Sequence, residues 1–496
     1  MTLVHSQKKR VILLMVDTLM DSSLQAALNT GNVPAFQFFI EKGCYFPDVV
    51  SPFPTMSVTV DSTLLTGVYS DKHKVPGLVW YNQKEKRIVN YGSHVRELIK
   101  LGLKQSMGDV FFNLNHIHLN KQHKTIHEIL HDEGIQTSSI NALLYKGSNP
   151  NVLKTPFLLS MVTGMNKKIE VQSPDLHSYG AFRCLNPVKK YSFSWQKYGF
   201  NDKFSANEVG YLINQNKLPP LTITYFPDLD QSVHKNGRTD IKGIQKVDKQ
   251  LQKILNQYPS WDEALSNNIW IISGDNGQAW ISSNKKDALI DLRDLLNSYR
   301  IGVLKKGVTS QDEIILCVNE RMSFIYTLDD QKAPLQEIAK VLQNDHRIDV
   351  IAIKNEKSVT VTSGIHEGHL HFHPEGEYAD EYEQSWFLEG NTEILDLSLT
   401  NKTVKYGDYP DALARLYSSF FSHEGEYLIV SAKPGHEFIG EGSPTHIGGA
   451  SHGGLHKEDS FVSMIVCGTS STPKHLRIID FKDWLLSLVQ ESYHSK

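Results

Sequence analysis

The 496-residue sequence contains only four cysteines, Cys44, Cys184, Cys317 and Cys467, set far apart and without a CxxC pair. That scarcity excludes a disulfide framework and a thiolate zinc site, and a reduced, cytoplasmic protein is the expectation. No apolar run approaches the roughly 20 residues that span a bilayer, so no membrane role is expected. One-sided charge is lacking too: 51 Lys and Arg stand against 55 Asp and Glu, a formal net charge of −4. Such a balance gives no electrostatic reason to bind a nucleic-acid polymer or an anionic membrane. Internal repeats and low-complexity segments are absent, which removes repeat architectures. The cluster Lys8-Lys9-Arg10 followed by Val11–Val16 imitates a signal peptide. Asp17 interrupts the run before any small-residue cleavage site, so a buried first strand is the expected reading.

What is present is the composition of an ordinary globular protein, 40% hydrophobic and 21% charged, long enough for two or three domains. Short apolar runs alternate with helix-like stretches, which predicts an α/β fold with a central, mostly parallel sheet sandwiched by helices. The clearest strands are Arg10–Val16, Leu221–Phe226, Asn268–Ser273 and Phe461–Cys467. Asp17, Asp230 and Asp275 each follow one of the first three. Ligand sites of open α/β sheets lie beyond the carboxyl ends of the strands, so these carboxylates are expected to converge. His452 precedes the fourth run, and its placement requires the loop to fold back. The expected core comprises residues 1–79, 206–286 and 401–496. Residues 80–205 read as a cap or connecting region, within which Thr125–Asn141 reads as helix, Gly stop and strand. Residues 287–400 read as an inserted α+β subdomain, with strands at Glu313–Val318 and Asp349–Ile353, an apolar run at Ser323–Leu328 and a helix at Leu335–Asp345.

Several residue clusters bear chemistry. Asp230 and His234 are four apart, which places a carboxylate and an imidazole on one side of a helical turn, a donor pair suited to zinc or manganese. Asp275 lies in SGDNG, which is also a turn sequence. His452 lies in GGASHGGLH, where glycines let backbone crowd round an ion, with His446 and His456 as rivals. The loop Ser51–Gly67, SPFPTMSVTVDSTLLTG, presents several hydroxyls before a predicted helix. It is either a serine- and threonine-rich cap or a phosphate site at a helix N-terminus. His366, His369, His371 and His373 crowd one stretch and read as a solvated strand or loop, although His371 and His373 share a strand face. His73 reads as structural, and Asp21 as a residue that caps or solvates the helix after it.

In order and spacing these strings resemble the alkaline phosphatase superfamily, in particular its nucleotide pyrophosphatase/phosphodiesterase-like branch. The similar segments are VDTLMD, PTMS before TGVYSDKH, TIHEILHDEGIQT, YFPDLDQSVHKNG, IISGDNG and GGASHGGLHKEDSFVSMIVCG, from about Arg10 to Gly468. The resemblance implies a phosphate-ester hydrolase acting on a small molecule through a covalent phosphoserine. Counting back from Thr66-Gly67 places the nucleophile at Ser57, with Thr55 and Thr59 as rivals. One ion would be held by Asp230, His234 and His452, the other by Asp17, Ser57 and Asp275. Two divalent ions are implied, zinc above all, with manganese or magnesium open at the Asp17/Ser57/Asp275 site. The sequence departs from the family at Asn276, where a histidine is usual; a neutral amide oxygen is the weaker donor, so this second ion is expected to bind more loosely. It departs again at Val58-Thr59-Val60-Asp61, where the branch carries a phosphate-binding asparagine, which weakens the case for a nucleotide substrate. The C/S-x-P-x-R string of sulfatases is absent. A phosphonate hydrolase or phosphomutase on the same scaffold, and a non-catalytic, metal-depleted relative acting as a binding protein, are the alternatives. No motif reports the substrate alcohol, mono- or diester preference, or the oligomeric state.

Overall fold

The computed structural model describes residues 9–494; Lys8 of the basic cluster lies outside them. Seven strands make the central sheet: β1 (Arg10–Val16), β2 (Cys44–Val50), β3 (Thr137–Ile140), β4 (Leu176–Ser178), β5 (Leu221–Phe226), β6 (Asn268–Ser273) and β7 (Phe461–Cys467). Their order is β2-β7-β6-β1-β5-β3-β4, and all are parallel except β7. The near-continuous apolar character of β1 reflects burial on both faces. Val11, Leu13 and Met15 enter one core, and Ile12, Leu14 and Val16 the other. Helices Asp21–Leu28, Pro34–Lys42 and Ile241–Leu255 close the second core, while Ser57–Thr66 and Phe481–His494 close the first.

The direction of β7 changes one expectation. Because it runs against β6 and β2, the chain entering β7 already lies at the edge where the parallel strands end. No fold-back is needed to bring His452 there.

The region from 80 to 205 does more than connect. Its segment Thr125–Asn141 forms a helix, Ile126–Asp132, opened by a Thr125/Glu128 capping box, then Gly134 at φ 74°, then β3. This region supplies both β3 and β4 to the central sheet. A second sheet of nine strands is almost wholly antiparallel and includes the hairpin Ile314–Asn319/Met322–Thr327. The strand Glu426–Ala432 sits between Met322–Thr327 and Ile348–Asn355, so this sheet draws on chain beyond residue 400. Among the described residues, no helix is long and apolar enough to cross a membrane.

Candidate active site

Pairing of Val16 with Phe226 and of Met15 with Ser273 brings the carboxyl ends of β1, β5 and β6 level. Asp17 follows β1 directly, and Asp275 stands two residues past β6. Asp230 and His234 lie one turn apart on helix Asp228–Asn236, with His234 Nε2 3.2 Å from Asp230 Oδ1. His452 Nε2 reaches the same oxygen at 3.6 Å. His234 Nδ1 is hydrogen-bonded to the Ala450 carbonyl at 2.8 Å, and His452 Nδ1 to the Thr55 carbonyl at 2.7 Å. A carbonyl only accepts, so each Nδ1 carries a proton and Nε2 is the atom that each ring turns towards Asp230. Of the two rival histidines, His446 stacks on His234 with ring centroids 4.1 Å apart and is tied through Nδ1 to Glu437 at 2.8 Å. His456 accepts from the Glu458 N–H at 3.2 Å as cap of a short helix.

Burial separates the three hydroxyls. Thr55 and Thr59 are fully buried. Thr55 Oγ1 accepts from Gly453 N–H at 2.8 Å, and Thr59 Oγ1 faces the Val75 carbonyl at 3.5 Å. Ser57, the first residue of helix Ser57–Thr66, is partly open and lies close to Asp275. Asp275 Oδ2 also accepts from the Tyr225 hydroxyl at 2.6 Å, and its Oδ1 from Thr18 N–H at 3.0 Å. Asn276 is brought to the same place but turned aside: its amide nitrogen is 3.2 Å from both Thr18 Oγ1 and the Gly277 carbonyl. Asp17 Oδ1 is buried without a hydrogen-bond partner.

Charge is distributed unevenly over these groups. Burial, then the charges of Asp275 and Asp230, raise the Asp17 pKa well above the usual carboxylate range. Burial raises Asp275 as well, against the hydrogen bonds from Tyr225, Thr18 and Ser57. At Asp230 burial is outweighed by the adjacent His234, which holds its pKa well below normal. Burial would depress His234, yet Asp230 and Glu320 push it up to about 10. The orphaned Asp17 oxygen and the crowded Asp17/Asp275 carboxylates fit a hard cation, and the Asp230/His234/His452 set fits zinc or manganese.

Sequence reasoning missed five residues of this site. Thr18 and Gln278 both donate to Asp230 Oδ1, at 3.0 and 2.6 Å. Tyr225 orients Asp275. Asp61, fully buried one turn after Ser57, has its pKa pushed up to about 8 by burial and then by Asp275. Glu320, at the tip of the Ile314–Asn319/Met322–Thr327 hairpin, faces both imidazoles. Only Glu320 had a readable signal, a glutamate in a two-residue turn that ordinarily takes glycine or asparagine. Among the described residues, two groups can hold a metal ion, Asp230/His234/His452 and His234/Glu320/His446. The strand histidines are in neither: His371 meets Thr360 Oγ1 at 3.1 Å, and His373 stacks on Phe387. His73 is buried against Thr63, with its pKa lowered to about 3 by burial, and Asp21 accepts from the Tyr45 hydroxyl at 2.5 Å.

A mostly parallel sheet with carboxylates and imidazoles gathered beyond its carboxyl edge is the architecture of the alkaline phosphatase superfamily. The sequence matches the type I phosphodiesterase/nucleotide pyrophosphatase family over residues 11–385, and the chain belongs to that family. Human ectonucleotide pyrophosphatase/phosphodiesterase 5 has the same fold at 13% identity, with a TM-score of 0.56 over 97% of this chain and 95% of that one. Phosphonoacetate hydrolase from Sinorhizobium meliloti 1021, in complex with phosphonoacetate, aligns at 14% identity and TM-score 0.57 over 98% and 96% of the two chains. A comparison with curated proteins finds no match.

Proposed function

We propose that this chain is a two-metal phosphate-ester hydrolase in which Ser57 is the nucleophile. The observation that carries the reading is that Ser57, alone among the three neighbouring hydroxyls, is partly open, at the start of its helix and close to Asp275, beside two oxygen- and nitrogen-rich donor sets. Asp230, His234 and His452 would hold one divalent ion, and Asp17, Ser57 and Asp275 the other. When bound, such ions acidify the serine hydroxyl and neutralise charge on the phosphoryl oxygens.

The chain's own groups do the rest. Tyr225 and the Thr18 N–H fix the Asp275 carboxylate, which orients the Ser57 hydroxyl. Ser57 opens a ten-residue helix, whose N-terminal dipole favours the negative charge that develops there. Attack by Ser57 Oγ forms one P–O bond as the bond to the leaving alcohol breaks. Water then cleaves the phosphoserine and restores the hydroxyl. Thr59 makes no phosphate contact, since its hydroxyl is fully buried towards Val75. Asn276 could offer the second ion only its neutral carboxamide oxygen, a weaker donor than imidazole, which supports weaker binding there or a preference for manganese or magnesium.

Related proteins indicate the substrate classes to try. A structure of the murine ectonucleotide pyrophosphatase/phosphodiesterase 5 holds AMP, and the Sinorhizobium hydrolase holds phosphonoacetate. The test is release of p-nitrophenol from its phosphate mono- and diesters and of phosphate from phosphonoacetate, with added Zn²⁺ or Mn²⁺. Turnover by the wild type and none by Ser57→Ala is expected. Full activity of Ser57→Ala would refute the nucleophile, and intact metal binding without turnover of any ester would favour a non-catalytic binding protein.

A further inference from the structure

We propose that Glu320 is a fourth protein donor to the cation held by Asp230, His234 and His452, so that the second sheet contributes a ligand to the active site. The inference rests on the metal-site reading above and adds a residue to it. Asn319 pairs with Met322, so Glu320 and Arg321 form the whole turn of a two-residue hairpin. Glu320 adopts φ 57°, a conformation that glycine takes without cost and that costs other residues about 1–2 kcal/mol. A strained, non-glycine residue at a turn tip is commonly one whose side chain has work to do.

The tip is held rigidly against the His452 loop. The buried Arg321 guanidinium pairs with Asp459 at 2.8 Å and donates to the carbonyls of Ala432, Lys433 and His436. Arg321 N–H donates to the His452 carbonyl at 2.9 Å. The approach is so close that a Cβ on Gly453 would stand 2.4 Å from the Asn319 carbonyl oxygen. The carboxylate itself is aimed. Glu320 Oε2 accepts from Ser451 Oγ at 2.7 Å, which leaves Oε1 3.8 Å from His234 Nε2, while Oε2 lies 3.9 Å from His452 Nε2.

The two imidazole nitrogens are therefore bracketed by carboxylates, Asp230 at 3.2 and 3.6 Å and Glu320 at 3.8 and 3.9 Å. Donors round a tetrahedral ion with bonds of about 2.0–2.1 Å stand roughly 3.3 Å apart, so Glu320 would have to close on each imidazole by about half an ångström. Two imidazoles and two carboxylates would balance a divalent cation's charge, and a phosphoryl oxygen would then enter as a fifth donor, an expansion zinc allows.

The test uses the full chain, stripped of metal by chelator and titrated with Zn²⁺ against a chromophoric competitor, and with Co²⁺ read by its visible spectrum. Glu320→Gln keeps the size of the side chain and removes its charge. It is expected to weaken the tighter ion by about 10–100-fold and to alter the Co²⁺ band, with the metal-free melting temperature little changed. Zn²⁺ affinity within twofold of wild type would overturn the proposal. So would weaker binding with an unaltered Co²⁺ spectrum, since the carboxylate would then act through charge alone. His234→Ala separates the two levels: if it binds metal as the wild type does, or if the wild type binds none, the underlying metal-site reading fails instead.

Discussion

The two halves of this site both gather carboxylates but have opposite electrostatics. On one side Asp230 and Glu320 face His234 and His452, and both acids are held below their ordinary pKa, against the effect of burial. On the other side Asp17 and Asp275 face each other with no imidazole between them, and both are raised. Imidazoles compensate the first pair even before an ion arrives. The second pair has only Tyr225, Thr18 and Ser57 as donors, and Asn276 stands where an imidazole would balance it. A half that is already neutralised holds its shape without metal, whereas a half that repels itself depends on the cation.

The contrast can be broken or sharpened by mutation. The largest effect is expected for Ser57→Ala, a loss of ester turnover of about 10⁴-fold or more by steady-state kinetics. The histidine-side ion should bind unchanged in that variant, as read by metal titration. Next comes Arg321→Met, which strands Asp459 as an uncompensated buried charge and should cost about 3–5 kcal/mol in urea unfolding. It should also loosen the histidine-side ion by releasing the His452 loop. Asn276→His would even out the two halves: the second Zn²⁺ equivalent should tighten by about tenfold or more in competition titrations, and the first should not move. Equal affinities for both ions in the wild type would remove the asymmetry altogether.

The smallest effect at neutral pH belongs to His423→Gln, which separates acid sensitivity of the second sheet from acid release of metal. Burial, with Lys354 and Lys74 adding, lowers the His423 pKa to about 3. The unfolded chain binds this proton first, so its contribution to stability is full above about pH 6.5 and is lost as pH falls towards 3. Melting curves between pH 6.5 and 4 should be shallower in the variant, by roughly 2–4 °C. Metal content against pH should follow the wild type.

Much of the fold was legible because its strands are short apolar runs with a donor residue at one end. The runs predicted at Arg10–Val16, Leu221–Phe226, Asn268–Ser273 and Phe461–Cys467 are β1, β5, β6 and β7 with unchanged bounds. Helix, Gly stop and strand were equally plain in Thr125–Asn141, where a capping box and a left-handed glycine mark the ends. Membership of β3 and β4 in the central sheet was not legible, since a four-residue run such as Thr-Ser-Ser-Ile carries no sign of its partner. The reach of the second sheet past residue 400 was hidden for the same reason. Strand pairing is a long-range choice that local pattern does not encode.

By itself the sequence singled out the residues proposed to do chemistry and where along the chain they stand: Asp17, Ser57 with Thr55 and Thr59 as rivals, Asp230, His234, Asp275, and His452 with His446 and His456 as rivals, with Asn276 as the odd member. Spacing and strand ends suffice for that, because they are local properties. Only the tertiary structure decided which hydroxyl is partly open, which way β7 runs, and that Asn276 turns to Thr18. It alone brought Glu320 to His234 from 86 positions further along the chain. Burial, direction and contact between distant segments depend on how the sheets pack, and no stretch of sequence contains them.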